Sequence, residues 1–311
     1  MPNTNLHKAK TAKNDEFYTQ LTDVAKELMH YKKHFKDKIV FCNCDDPTWS
    51  AFWKYFHLNF AELGLKKLIS THYDREEATY KMEYTGGDDN DIEVGVKTPL
   101  EGNGDFRNQE CLDLLDECDI VVTNPPISLF LSYLSILLNH NKKFIIIGNR
   151  NSFGNDKIFQ LIKSNQIWIG FSSTHHMLFE VPKWYAKQLK SDPTRKEGHG
   201  QSYSEVDGKI MAEVNACWYT NLDISKRHEK IILWKEYSEA EYLKYENYDA
   251  IEVSKVSQIP VNYDGVMGVP ITWLEKYNPK QFKIIGKANS AGAPRINGKN
   301  MYARILIQKI I

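Results

Sequence analysis

The feature of the sequence best suited to chemistry is Thr123-Asn124-Pro125-Pro126, directly after an apolar run at residues 119–123. Two consecutive prolines fix two φ angles and remove two backbone donors, which leaves a rigid loop whose carbonyls can accept from a ligand. Asn124 adds a side-chain carbonyl. An amino group conjugated to an aromatic ring is a poor nucleophile, because the ring delocalises its lone pair. Acceptors at Asn124 and the Pro125 backbone would localise that lone pair, so the motif is suited to activating an exocyclic amine.

An Asn-Pro-Pro sequence can also be an ordinary turn, so its place in the fold decides between the two interpretations. Apolar runs of strand type occur at residues 38–43, 67–72, 119–123, 143–148, 167–171 and 214–220. Helical patterns occur at residues 24–35, 50–63, 109–117, 129–138 and 156–162. This alternation predicts an α/β fold with a mainly parallel sheet covered on both faces. The motif then ends a central strand, which favours the chemical interpretation.

Polar residues follow several of these strands. They are Asp45 and Asp46, Asp74, Asn124 and Asn149. Open parallel sheets bind ligands in the loops beyond the carboxyl ends of their strands. We therefore expect the active site at this edge of the sheet.

Three stretches depart from the alternation. Residues 76–103, rich in Gly and Asp, predict a hairpin inserted before the third strand, and the polar residues 183–209 predict a long loop. Beyond residue 220 the pattern indicates a smaller α+β region. We therefore predict a catalytic domain at 1–222 and a C-terminal region at 223–311.

The overall composition is that of an ordinary globular protein of 311 residues, with 42% hydrophobic and 26% charged residues. The longest strongly apolar run, residues 144–148, is far shorter than the roughly 20 residues of a membrane helix, and no signal-peptide core begins the chain. We expect a cytoplasmic protein without membrane contact. Five cysteines without C-x-x-C spacing predict neither a disulfide framework nor a zinc site, and no metal is expected.

Equal numbers of basic and acidic residues, 40 of each, give no net charge. Any nucleic-acid surface must therefore come from segregated charge. The candidates are Lys8, Lys10, Lys13, Lys183, Lys187, Lys190, Arg195, Lys196, Arg227, Lys230, Arg295 and Lys299. Each of these can equally be a solvated surface charge.

The run DIVVTNPPISLF, at 119–130, resembles motif IV of S-adenosylmethionine-dependent amino methyltransferases, and its surroundings resemble the EcoRI-type adenine-specific DNA methyltransferases. The other matching stretches are DEFYTQ (15–20), CNCDDPTWSAF (42–52), GLKKLISTHYD (64–74), GDFRNQECLDLL (104–115), KFIIIGNRN (143–151), NACWYTNLD (215–223) and GVMGVPITWLEKYNPKQFKIIG (265–286). The resemblance implies a Rossmann-like sheet and the cofactor S-adenosyl-L-methionine. It also implies N6-methylation of an adenine flipped out of double-stranded DNA, in a restriction-modification or orphan modification context. The order of the motifs, with a distinct region last, assigns target recognition to the C-terminal region 223–311.

The resemblance assigns part of the cofactor site to the chain before the first strand. Phe17, Tyr18 and Thr19 occupy the position that contacts the methionine part of the cofactor. Asp74, at the end of the second strand, is placed to accept from the ribose hydroxyls.

The rest of the implied cofactor site lies after the first strand and before the third. Asn43, Asp45 and Asp46 follow the first strand, where a carboxylate can hold the ammonium group. The usual glycine-rich loop is absent there, which is tolerable because this cofactor has no pyrophosphate to cradle. Asp105 and Phe106 resemble the motif that holds the cofactor adenine, one by a hydrogen bond and one by ring contact.

The implied catalytic loop comprises Asn124, Pro125, Pro126 and Ile127. The family usually has an aromatic residue in place of Ile127, which stacks on the extruded base and is worth roughly 1–3 kcal/mol. We therefore predict a weaker grip on the base, unless Phe130, Tyr133 or a C-terminal aromatic compensates.

Three other functions stay open at this point. One is methylation of an amino group on RNA or on a protein glutamine, although such families carry an aromatic residue after the prolines and a glycine-rich first loop. Another is a catalytically impaired relative that binds cofactor and DNA, and the last is a nucleotide-binding protein of other chemistry. The partners we expect are double-stranded DNA and a cognate restriction endonuclease without direct binding. We expect a monomer, and the sequence does not reveal the DNA site.

Overall fold

The computed structural model describes residues 18–44, 46–74, 78–172, 177–181, 183–198, 202–289 and 291–310. The chain forms two compact units, one of residues 1–152 with 170–222 and one of residues 153–169 with 223–311. Among the described residues, no helix is long and apolar enough to cross a bilayer.

The strands are numbered in chain order. They are β1 Tyr18–Thr19, β2 Ile39–Cys42, β3 Lys67–Thr71, β4 Tyr80–Tyr84, β5 Val96–Pro99, β6 Ile120–Thr123, β7 Lys143–Asn149, β8 Trp168–Ile169, β9 Met177–Glu180, β10 Tyr203–Val206, β11 Lys209–Val214, β12 Ala216–Thr220, β13 Ile251–Glu252, β14 Met267–Pro270, β15 Phe282–Lys287, β16 Arg295–Ile296, β17 Lys299–Asn300 and β18 Arg304–Lys309.

The α-helices are α1 Leu21–Leu28, α2 Ala51–Leu58, α3 Phe60–Leu63, α4 Gln109–Glu117, α5 Phe130–Asn139, α6 Asp156–Lys163 and α7 Lys183–Ser191. Short 3-10 helices occur at Met29–His34, Ile127–Leu129, Arg150–Gly154, Ser225–His228, Val256–Gln258 and Ile271–Lys276.

The main sheet of the first unit has the order β5-β4-β3-β2-β6-β7-β12. Its four central strands, β3, β2, β6 and β7, are parallel, and Val40 of β2 pairs with Leu68 on one side and Ile120 on the other. The chain leaves β2 toward β3 and returns on the other side to β6, so the strand order reverses between β2 and β6. This is the topological switch point, where open α/β sheets bind their ligands.

Helices flank the sheet because its strands are buried on both faces. Every residue of β2 and β6 is buried, as expected of apolar runs without alternation. Helix α2 packs on β3, α4 on β2 and α5 on β7. The sheet contains antiparallel strands as well, so it is a mixed sheet, and the α/β Rossmann-like prediction is confirmed.

The hairpin predicted within residues 76–103 is present. Strands β4 and β5 are antiparallel to each other, and β4 is antiparallel to β3. The hairpin therefore extends the sheet at one edge and places Tyr80 beside the carboxyl end of the parallel strands. A second sheet of the same unit, with the order β1-β9-β11-β10, continues directly from β11 into β12 of the main sheet.

Helix α1 carries a buried charge. The carboxylate of Glu27 accepts from the Tyr31 hydroxyl and from the backbone amides of Phe171 and Ser172, each at 2.7 Å. A Cβ at Gly170 would lie 2.4 Å from that carboxylate, so glycine is required there. A buried carboxylate is tolerated when donors satisfy it, and here it fixes the turn before β9.

The long loop predicted at 183–209 is wrong. Residues 183–191 form helix α7, and residues 203–206 form β10. Leu189 is buried against Val181, Tyr203 and Ala212, and Tyr185 packs on the same cluster. The polar composition concealed an amphipathic helix, since only one narrow face has to be apolar.

The second unit is built on a sheet of order β13-β14-β18-β15 with a separate β16–β17 ribbon. Residues 153–169, which the sequence placed in the first domain, belong to this unit. The reason is contact with β15: the Lys163 ammonium donates to the carbonyl of Ile285 at 2.6 Å, and the Lys287 ammonium pairs with Asp156 at 2.5 Å. The functions predicted for the two domains stay predictions.

Candidate active site

The loops after β2 and β6 meet at the switch point. The hydroxyl of Thr123, the last residue of β6, donates to the backbone carbonyl of Asn43, the first residue after β2. Both residues are buried. This bond fixes the start of the Asn-Pro-Pro loop against the first loop of the sheet.

Asn43 also connects the first loop to β3. Its side-chain oxygen accepts from the backbone amide of Cys44 and from the hydroxyl of Thr71, both at 2.9 Å. Cys44 has a φ of 66°, a left-handed conformation uncommon for a non-glycine residue. Asn43 is 2% exposed, so the ends of three neighbouring strands are joined by the side chain and the backbone carbonyl of one buried residue.

The Asn-Pro-Pro loop turns directly into helix α5. Pro125 is buried, Asn124 and Pro126 are half-buried, and the carbonyl of Pro126 accepts from the amide of Leu129 at 2.9 Å. Half-buried Ile127 begins this 3-10 turn. The loop therefore has one tight path, consistent with the two fixed φ angles of its prolines.

Phe130 and Tyr133 belong to the core. Phe130 is 3% exposed and packs against Tyr219, with the ring centroids 4.9 Å apart. Tyr133 is 1% exposed and meets the ring of Phe106 edge-on at 4.9 Å. Both rings therefore belong to the core packing, and compensation by either for the missing aromatic at Ile127 stays a prediction.

Asp46 lies in a network of donors. Its Oδ1 accepts from the hydroxyl of Tyr80 at 2.9 Å and from the amide and hydroxyl of Thr48. Its Oδ2 lies 3.5 Å from Nε2 of His72. Burial and the bond to Asp46 raise the pKa of Tyr80, so its hydroxyl stays a donor at neutral pH. Nδ1 of His72 is buried and has no hydrogen-bond partner among the described residues.

The segment after β3 contacts the segment before α4. The amide of Asp74 donates to the carbonyl of Asn103 at 3.2 Å. Gly104 has a φ of 73°, and a Cβ there would lie 2.2 Å from the carbonyl oxygen of His72. Only glycine permits this approach, so the structure brings Asp74 and the Gly-Asp-Phe turn together.

Asp105 and Phe106 occupy that turn. Asp105 forms an ion pair with Arg107, in which Nε donates to Oδ1 at 2.8 Å and Nη2 to Oδ2 at 2.5 Å. A carboxylate offers about four acceptor positions, so this pair is compatible with a further hydrogen bond from a ligand. Phe106 is buried.

Comparison with known proteins decides the family. The model of the family described as "Adenine-specific methyltransferase EcoRI" matches residues 5–309. The chain belongs to the EcoRI adenine-specific methyltransferase family. It is 45% identical over 320 residues to the Type II methyltransferase M.EcoRI of Escherichia coli, covering 97% of this chain and 95% of that protein.

Two mycoplasma relatives also match almost the whole of this chain. The Type II methyltransferase M.MgeORF184P of Mycoplasma genitalium is 35% identical, and M.MpnI of Mycoplasma pneumoniae is 34% identical, each over 98% of both chains. No solved structure matches. The predicted activity, adenine-specific DNA methylation, is confirmed by the family, which also implies a methyl donor and DNA as the acceptor.

For this EcoRI-type methyltransferase, two of the predicted site residues, Phe17 and Asp45, lie outside the described residues. Tyr18 and Thr19 form β1, which pairs with β9 in the second sheet, and the Thr19 hydroxyl is buried with no hydrogen-bond partner among the described residues.

Hydrogen bonds and close approaches connect the other predicted positions in two groups. One joins Asn43 to the loop of Asn124 through Thr123, and the other joins the loops of Asp46, Asp74 and Asp105 through His72.

Three polar residues of this site were not predicted from the sequence. Thr71 ends β3 and His72 follows it, so their position just before Asp74 was a usable signal. Tyr80 gave no signal, because it reaches Asp46 from an antiparallel strand of the inserted hairpin.

Proposed function

We propose that this enzyme transfers the methyl group of S-adenosyl-L-methionine to the N6 amino group of an adenine extruded from double-stranded DNA, at the loop of Asn124, Pro125, Pro126 and Ile127. The observation that carries the proposal is the hydrogen bond from Thr123 to Asn43. It joins the Asn-Pro-Pro loop to the first loop of the sheet at the topological switch point, in a chain of an adenine-specific methyltransferase family.

The donor set fits this cofactor. S-adenosyl-L-methionine supplies, when bound, an activated methyl group on a positively charged sulfur. The loops at the carboxyl edge provide the carboxylates Asp46, Asp74 and Asp105, which suit a cation with an ammonium group and two ribose hydroxyls. They offer no phosphate-binding glycine loop, and this cofactor has no phosphate.

Each group then has a role. Asp46, with Asp45, holds the ammonium group in the loop that the buried Asn43 fixes, and Asp74 holds the ribose. The buried His72 Nδ1 and the buried Thr19 hydroxyl lack hydrogen-bond partners among the described residues, and a bound polar ligand would satisfy such groups.

The methionine part and the adenine of the cofactor have their own contacts. Phe17 and Tyr18 contact the methionine part. Asp105 accepts from the adenine amino group, and Phe106 contacts the ring.

Activation of the target base falls to two carbonyls. The side-chain oxygen of Asn124 and the backbone oxygen of Pro125 each accept a hydrogen bond from one N–H of the adenine amino group, which localises the nitrogen lone pair toward the methyl group. The nitrogen releases one of its protons after methyl transfer. The protein contributes positioning and electrostatics, since the leaving group is a neutral thioether. Pro125 and Pro126 keep the acceptors fixed, which avoids reorganisation during the reaction.

Asn124→Ala tests this role. We expect turnover to fall at least 100-fold, the scale of removing one preorganised hydrogen-bond partner, while cofactor affinity changes little. Asn139→Ala, at the exposed end of α5, is the matched control. The assay is labelled methyl transfer to mixed genomic DNA with nucleoside analysis, and cofactor binding by calorimetry.

The results separate the candidate functions. N6-methyladenine from the parent and none from Asn124→Ala supports the proposal. Unchanged turnover in Asn124→Ala would exclude the role of the amide, and methyl transfer to RNA rather than DNA would exclude the substrate. The proposal also assigns target recognition to the C-terminal region 223–311, action as a monomer, and a restriction-modification context with a cognate nuclease that does not bind this chain.

A further inference from the structure

The β16–β17 ribbon is an exposed two-stranded element of the second unit. Arg295, Asn297, Gly298, Lys299 and Asn300 are all exposed. Asn297 and Gly298 have φ values of 49° and 71°, the pattern of the tight two-residue turns that match the twist of a hairpin. The two-residue turn therefore fixes how the two strands of the ribbon pair.

Side-chain hydrogen bonds from Asn247 and Tyr248 hold the segment that leads into this ribbon. The Asn247 amide donates to the carbonyls of Ala291 and Ala293 at 2.9 Å each, and its oxygen accepts from the amide of Arg295 at 2.9 Å. The Tyr248 hydroxyl donates to the carbonyl of Gly292 at 2.7 Å. The backbone of this exposed segment is thus fixed while its side chains face outward.

The stretch of sequence that contains the ribbon carries charge of one sign. From Lys276 to Ile311 the sequence contains eight basic and no acidic residues, although the whole chain carries 40 of each. Lys287, Arg304 and Lys309 pair with acidic residues from elsewhere in the unit. Arg295 forms a long, exposed ion pair with Glu246 at 4.0 Å, and the other oxygen of Glu246 accepts from the backbone amide of Gly298 in the ribbon turn at 2.6 Å. For Lys299, no ion pair forms within the part of the chain that the structure describes. A run of one sign that persists at the surface is complementary to a polyanion.

Two side chains on one face of the ribbon are suited to base edges. Arg295 and Asn300 are directly opposite in the antiparallel register, so they share a face. Arginine binds guanine through two hydrogen bonds, and asparagine binds adenine in the same way. The major groove admits a two-stranded ribbon. Tyr302, 85% exposed beyond the second strand, adds an aromatic surface.

We propose that the β16–β17 ribbon is the element that enters the DNA major groove, with Arg295 and Asn300 reading bases and Lys299 binding a backbone phosphate. The inference rests on the proposed function for its partner, double-stranded DNA. It goes further by naming the element that contacts the bases and by assigning base reading and phosphate binding to different residues of it.

The first experiment measures binding without methylation. The probe is a 30-base-pair duplex of scrambled sequence, titrated at several salt concentrations. Lys299→Ala should weaken binding several-fold and reduce the slope of log affinity against log salt by about 1, because one phosphate contact is lost. Lys66→Ala, an exposed lysine just before β3 in the other unit, removes the same charge and should leave affinity and slope unchanged.

The second experiment measures base reading. The probes are the duplex site found by mapping methylated adenines and its single base-pair exchanges. Arg295→Ala and Asn300→Ala should each reduce discrimination at one position by about 5- to 150-fold, without loss at other positions. Asn139→Ala is again the control.

The outcomes separate this inference from the proposed function. Full discrimination in both variants, or an unchanged salt slope in Lys299→Ala, would overturn the ribbon inference while methylation by the parent stands. A parent that methylates no adenine would overturn the proposed function, and the scrambled-duplex titration of Lys299→Ala against Lys66→Ala would still decide whether the ribbon binds DNA.

Discussion

Replacing Gly148 by Ala should slow methyl transfer far more than it destabilises the fold. Gly148 lies in β7 against the ring of Phe130, and an added Cβ would be 2.3, 2.6 and 2.8 Å from three of its carbon atoms. Ordinary carbon contacts begin near 3.5 Å, so the ring has to move by roughly 1 Å. Tyr219 packs on the same ring and restricts its retreat.

The displacement reaches the catalytic loop through the backbone. Phe130 is the first residue of α5, and its amide donates to the carbonyl of Ile127. Overpacking a core costs about 1–3 kcal/mol. The loss of glycine freedom in the unfolded chain returns about 0.4–1 kcal/mol. We therefore expect the free energy of unfolding to fall by no more than about 2.5 kcal/mol, the balance of those two effects. A shift of about 1 Å in a positioned group can lower the rate about 100-fold.

The assay compares kcat, cofactor affinity and urea unfolding for the parent, Gly148→Ala and a matched control. Gly154→Ala is that control, because nothing lies within 4 Å of its added Cβ. Adding Phe130→Leu to Gly148→Ala should restore part of the rate, since the smaller side chain gives space back. If Gly148→Ala matches Gly154→Ala in both rate and stability, the packing of Phe130 does not position the loop.

Three further predictions concern the base pocket, the thiols and the second unit. Ile127→Phe should raise kcat/KM about 5-fold, because ring stacking adds about 1 kcal/mol over an aliphatic contact; a variant no faster than the parent would show that Ile127 does not limit catalysis. Burial raises the pKa of Cys118 and Cys217 to about 12, so both thiols should resist alkylation at pH 8. The unfolded thiol ionises near 8.5, so the free energy of unfolding should decline as pH rises from about 9 toward 12, and rapid labelling of the native protein at pH 8 would contradict this. Glu252→Gln should lower the free energy of unfolding by about 3–5 kcal/mol, because it leaves the buried Arg304 guanidinium without its charge partner. The double variant Glu252→Gln with Arg304→Met should lose less stability, since no charge is left buried. Equal losses for the two variants in urea denaturation would argue against a coupled pair.

The sequence predicted the parts of this enzyme that depend on local pattern. The continuous apolar runs of β2, β6 and β7 predicted buried parallel strands, because such strands have no polar face to alternate. Asn124 and its prolines could be placed at a strand end for the same reason. The family resemblance then gave the chemistry its specific form, and the comparisons confirmed the family.

Polar pairs between distant segments needed the tertiary structure. Glu27 lies on an amphipathic helix, where a glutamate predicts exposure, yet it is buried because amides 144 and 145 residues away satisfy it. Helix α7 was missed because its polar residues outnumber the few that pack.

The active site also has features that the local sequence determines and contacts that only folding decides. Its residue types and their places after the strands are written in the sequence, because each strand end is a local feature. The bond from Thr123 to Asn43 and the contact of Tyr80 with Asp46 were decided only by folding, since they join residues 80 and 34 positions apart. Hydrogen bonds of this kind leave no periodic pattern in the sequence. They form because an unpaired polar group at a buried strand end costs free energy.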